Sequence, residues 1–114
     1  MIPRRWRDYQ TSAGRRPVRD FLQSLSDEDA AAVVAAMAEV RETGLLVARK
    51  LRGEIWEVRA DGNRAIHRVL FAQEGRRSFV LLALVGFTKK TQRTPPDVIV
   101  LAEQRLADWR SRAQ

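Results

Sequence analysis

Residues 55–71, Ile55-Trp56-Glu57-Val58-Arg59-Ala60-Asp61-Gly62-Asn63-Arg64-Ala65-Ile66-His67-Arg68-Val69-Leu70-Phe71, read as two strands joined by a tight turn. Ile55 to Ala60 alternates in polarity, as a strand with one packed face must. Asp61-Gly62-Asn63 supplies the turn, and Arg64 to Phe71 continues as the partner strand. A second turn around Glu74-Gly75-Arg76-Arg77 leads into Ser78 to Val85, which is apolar on both faces and is expected to be the central strand. Toward the N-terminus, Ser26 caps a helix whose first turn carries Asp27, Glu28 and Asp29, where carboxylates favour the positive end of the helix dipole. Ala30, Val33, Val34, Met37 and Val40 form its apolar stripe, and Gly44 ends it. Pro17 opens a shorter helix with Val18, Phe21, Leu22 and Leu25 on one face, and Arg5 to Tyr9 reads as a short edge strand. Toward the C-terminus, Thr94-Pro95-Pro96-Asp97 is a helix start with Thr94 as the expected cap, and Ile99, Ala102, Leu106 and Trp109 face inward. The order predicts an α+β fold: an N-terminal strand and helical hairpin packed on a small antiparallel sheet, with a C-terminal helix.

The 114 residues suit one domain spanning 1–114, with no repeat, low-complexity linker or break in composition. The absence of cysteine excludes disulfides and thiolate metal sites. No apolar stretch of secretory or membrane-spanning length follows the basic start, so the expected location is the cytoplasm, with no membrane partner. The net charge of +7 favours a polyanion, whether nucleic acid, a ribosomal surface or an acidic protein. Arg4, Arg5 and Arg7 are expected to steer the chain toward it.

Lysine is rare: 18 of the 21 basic residues are arginine, yet Lys89 and Lys90 stand side by side. An ammonium can change protonation in a suitable environment, whereas a guanidinium cannot, so the pair marks a place for chemistry as well as a solvated loop. Strand parity puts Glu57 and Arg59 on one face and Trp56 and Val58 on the other, toward the helices. Arg64 and Arg68 likewise share a face, so one surface of the hairpin is expected to carry three arginines and a carboxylate. The same pattern suits a solvated face with a cross-strand ion pair. His67 has an unperturbed pKa near neutrality, but parity places it with Ala65, Val69 and Phe71, as a core or half-buried histidine.

Three blocks, Leu51-Arg52-Gly53-Glu54-Ile55-Trp56-Glu57-Val58-Arg59, Ile66-His67-Arg68-Val69 and Leu82-Ala83-Leu84-Val85-Gly86-Phe87-Thr88-Lys89-Lys90-Thr91-Gln92-Arg93-Thr94-Pro95, resemble the HigB-like branch of the RelE/ParE toxin superfamily. The resemblance runs from about Pro17 into the terminal helix and is most specific from Gly86 to Pro95. It implies the toxin of a type II toxin–antitoxin system, neutralised by a helix-turn-helix antitoxin and touching DNA only through it. In characterised branches the activity is endoribonucleolytic cutting of mRNA on the ribosome. A gyrase inhibitor of the ParE kind, or an antitoxin-binding module without catalysis, shares the fold. The chain departs from the family at His67, where an aromatic hydroxyl is common, and at Val85, where a histidine is common. Either change alters the general base or leaves binding without cleavage.

RNA cleavage by 2′-hydroxyl attack needs a proton acceptor, charge stabilisation at the phosphoryl oxygens and protonation of the leaving 5′-oxygen. With a single histidine, fixed cations are a more natural device than a metal, and no cofactor is expected. The candidate catalytic residues are therefore Arg68, Lys89, Lys90 and Arg59, with Arg64, Glu57, His67 and Arg93 contacting substrate. The resemblance favours Arg68 as the phosphate clamp, and a cation beside either lysine would make it a possible base.

Overall fold

The structure is a computed structural model that describes residues 3–89 and 93–112; Lys90 lies outside the described residues. Strand β1 (Arg5–Asp8) is followed by helices α1 (Pro17–Gln23) and α2 (Asp27–Thr43) and a 3-10 turn (Leu45–Val47). Strands β2 (Arg49–Arg52), β3 (Ile55–Asp61), β4 (Ile66–Glu74) and β5 (Val80–Lys89) come next, and helix α3 (Pro96–Arg112) closes the chain. The α+β architecture is as the sequence predicts, but the sheet is larger and mixed. Five strands lie in the order β1-β5-β4-β3-β2. β1 pairs in parallel with β5, and the other pairs are antiparallel.

The middle strand is β4, with β5 one place toward the β1 edge, so the expectation for β5 holds for its burial and not for its rank. β2 escapes sequence reading because Arg49-Lys50-Leu51-Arg52 has no apolar alternation. Charges of this kind keep an edge strand from pairing with another chain. Arg64 is also corrected: it belongs to the β3–β4 turn at φ +74°, closed by the Gly62 N–H to Ala65 carbonyl bond, and not to the face that carries Arg68.

Helices α1 and α2 cover one face of the sheet. Val18, Val33, Met37 and Val40 pack there on Val58, Val69, Phe71, Leu81 and Ala83. Ser26 caps α2 by accepting the Asp29 N–H, as its position predicts. Val34, expected in the stripe, is 54% exposed, since the buried set follows 33, 37 and 40 alone. The Trp6 indole ties β1 to α2 by donating to the Met37 carbonyl at 2.8 Å, and its ring meets Phe71 edge-on at 5.0 Å.

Helix α3 covers the other face, where Ala102 and Leu106 pack with Ile55, Leu70, Ala72, Leu82 and Leu84. Its C-terminal end is fastened by Arg110, which grips Glu54 at 2.7 Å and Glu74 at 2.6 Å. At its start the Pro95 carbonyl accepts from Val98 and Ile99. Thr94 is not the cap, because α3 starts at Pro96 and residue 95 holds that position; the Thr94 hydroxyl donates instead to the Glu57 carboxylate, which needs a donor in the interior.

Candidate nucleic-acid interface

Register across β3, β4 and β5 sets the α3 face out in rows. One row is Glu57–Leu70–Val85, the next Arg59–Arg68–Phe87, and the last Asp61–Ile66–Lys89. Strands lie about 4.8 Å apart and alternate residues about 7 Å along a strand, so the rows form a small platform. Thr94 lands on Glu57, and α3 then runs away along the sheet. The last two rows therefore lie at the helix's N-terminal end, with exposed Arg93 on the approach.

The platform is not the open arginine face that parity suggested. Arg68 is 0% exposed and Glu57 1%, with Arg68 Nε 3.8 Å from Glu57 Oε2. Thr94, just ahead of α3, comes down on the Glu57 carboxylate, a contact that strand alternation cannot foresee. Arg59 remains exposed at the β3 edge of the row, near Asp61 at 3.9 Å. Phe87 is half-buried and Lys89 exposed at the exit of β5. The arrangement is thus a buried Arg68–Glu57 pair with two exposed cations and a half-buried aromatic ring beside it. Positive charge beside a ring suits a phosphate and its base.

His67 lies on the opposite face, 3% exposed, with both ring nitrogens engaged. Nε2 is 2.7 Å from Asp29 Oδ2, and Nδ1 is 2.8 Å from Thr88 Oγ1. The hydrogen bond from His67 and a second from the Asn63 N–H hold the Asp29 carboxyl below its ordinary value. Asp29 is therefore an acceptor, Nε2 points its proton at it, and Nδ1 shares a hydrogen bond with the Thr88 hydroxyl. This relay joins the start of α2 to the ends of β4 and β5, one residue before Lys89. His67 does not share the Arg68 face, and nothing in the spacing of Asp29, His67 and Thr88 announces their meeting.

The relay predicts an acid sensitivity. Asp29 is ionised to lower pH when folded than when unfolded, so its stabilisation is present above about pH 4 and lost as pH falls through the lower folded value. Thermal midpoints measured from pH 6 down to pH 2.5 should drop less steeply in Asp29→Asn than in the wild type. Parallel curves would remove Asp29 from the acid response.

Among the described residues no group of three histidine, aspartate or glutamate side chains stands close enough to hold a metal ion. No helix among them is long and apolar enough to cross a membrane. No curated protein matches the chain. Residues 20–107 match the family described as Phage derived protein Gp49-like (DUF891). That span includes α2, all of β2 to β5, the platform and most of α3. The chain belongs to this Gp49-like family, which is of the RelE/HigB-like toxin type.

Proposed function

We propose that the chain is the toxin of a type II toxin–antitoxin system and cuts mRNA on translating ribosomes without a metal. The observation that carries this reading is the row Arg59–Arg68–Phe87 with Lys89 beyond it, gathered at the N-terminal end of α3. Family membership supplies the toxin class and an antitoxin partner; the helix-turn-helix type of that partner, the ribosome and mRNA are our reading.

In the reaction, the ribose 2′-oxygen attacks the adjacent phosphorus and the bond to the 5′-oxygen breaks. A 2′,3′-cyclic phosphate and a 5′-hydroxyl result. Lys89 and Arg59 meet the phosphoryl oxygens from solvent, while Arg68, paired with Glu57 beneath them, anchors the row between the strands. Charge that grows on the phosphate in the transition state is thereby stabilised by groups needing little reorganisation. Phe87 offers a face for the neighbouring base, at about 1–3 kcal/mol per stacked base. Glu57, tied to Thr94, holds Arg68 in place.

Primer extension on a defined mRNA in a reconstituted translation system tests the reading. The wild type should give cuts that need translating ribosomes, and Lys89→Ala should lower the cleavage rate by about 10²-fold, as loss of one transition-state donor does. Intact mRNA with the wild-type protein would sink the ribonuclease and direct attention to DNA supercoiling and antitoxin binding.

A further inference from the structure

A second basic feature lies away from the platform, on the open edge of β1. Three clefts adjoin there, with volumes of about 490, 440 and 530 Å³. The first two share Arg5, Glu74, Gly75 and Val80, and the last two share Arg7 and Trp109, so they form one trough. Arg76 and Arg77 line one end, Arg5 and Arg7 the middle, and Arg16 the other end.

Two properties set this trough apart from ordinary charged surface. Among the described residues, none of these five guanidinium groups lies within ion-pair distance of a carboxylate, whereas Arg52, Arg110 and Arg112 each find one. The acids in the lining are few: Glu74, which shares Arg110 with Glu54, and Asp8. The second property is the half-buried Trp109 where the clefts meet, with the Arg7 guanidinium 4.9 Å from its ring centre. A basic track with an aromatic ring set in it is the physical form of a site for single-stranded nucleic acid. Phosphates follow the cations, and a base can stack on the ring whatever its identity. Clefts of this size hold roughly one nucleotide each.

We propose that the β1 trough binds a short single-stranded stretch of RNA, independently of the platform and of any cleavage there. The charge pattern of the chain agrees: residues 1–19 carry six arginines against one aspartate, so five of the seven net positive charges arise in this segment. An acidic peptide adding itself as a strand to β1 is the competing occupant, and it makes no use of the Trp109 ring.

The test is fluorescence anisotropy of a labelled ten-nucleotide oligouridylate with the full chain at several salt concentrations. Arg7→Gln/Arg16→Gln should weaken binding about tenfold or more. It should also make the plot of log affinity against log salt shallower by about 1.4, two phosphate contacts at about 0.7 each for a single strand. Arg49→Gln/Lys50→Gln removes the same charge from the opposite edge and should stay within about twofold of wild type. Equal losses in the two double variants would mean diffuse attraction and overturn the trough. So would unchanged affinity in Arg7→Gln/Arg16→Gln, or a wild-type protein that binds an oligoglutamate peptide and no RNA. Trough-dependent binding without any mRNA cleavage would uphold this inference and remove the ribonuclease reading alone.

Discussion

Arg68→Ala should destabilise the protein by about 3–5 kcal/mol, lowering the thermal midpoint by roughly 15 °C for a domain of this size. The cause is what the substitution leaves behind. Glu57 is 1% exposed, and without the guanidinium its carboxylate stays buried with Thr94 as its remaining hydrogen-bond donor among the described residues. An uncompensated interior charge costs more than the ion pair contributes, because both ions gave up their hydration to form it. The double variant Arg68→Met/Glu57→Gln should accordingly recover most of the loss. It removes both charges, while the glutamine oxygen still accepts from Thr94. Calorimetric melting of the wild type, the single and the double variant decides the matter. A single variant melting within about 3 °C of wild type would show that the pair does not hold this face together. The same argument governs how activity is probed: lost cleavage in Arg68→Ala confounds chemistry with folding, and exposed Lys89 is the cleaner position.

Gly86→Ala should cost about 2–3 kcal/mol, although it adds one methyl group to a strand. A Cβ at Gly86 would lie 2.3 Å from Cδ2 and 2.7 Å from Cγ of Phe21. These are near atoms of a ring on α1 that also meets His67 edge-on, with 6.2 Å between ring centres, so relief requires moving the helix. Phe21→Leu in the same chain should restore part of the loss. The two substitutions should couple by about 1 kcal/mol or more in a double-mutant cycle, and additive effects would show that the clash is not with Phe21. Glycine within Gly86-Phe87-Thr88-Lys89 therefore has a packing reason, the close approach of α1 to β5.

The elements that alternation and capping govern were legible in the chain. The β3–β4 hairpin, the Ser26 cap, the inward residues Ala102 and Leu106 and the edge position of β1 all follow from local rules. What was not legible depends on segments distant in sequence meeting in space. β2 has no apolar pattern of its own and becomes a strand only because β3 offers it an edge. Thr94 sits one residue ahead of the cap position of α3, and its hydroxyl donates to the buried carboxylate of Glu57, a partner 37 positions away in the chain. At the candidate site, parity grouped Arg59 with Arg68 and placed His67 on the other face, but it could not show that Arg68 would be buried beside Glu57. Arg64 was grouped with them only because the partner strand was read as starting two residues before Ile66.

The parallel pairing of β1 with β5 also fixes an order of events. Arg5 meets Val80 and Asp8 meets Ala83, so the first strand waits through most of the chain for its partner. Thr94, which donates to the buried Glu57, and α3 are made later still. The trough needs Trp109 from the last turns of α3, and Glu57 under the platform needs Thr94. A nascent chain thus carries every arginine of its N-terminal segment with no finished surface to use them on. Nonlocal closure of this kind delays assembly until synthesis is nearly complete. For a protein whose proposed target is the translating ribosome, this topology leaves both basic surfaces incomplete until the last element has been made.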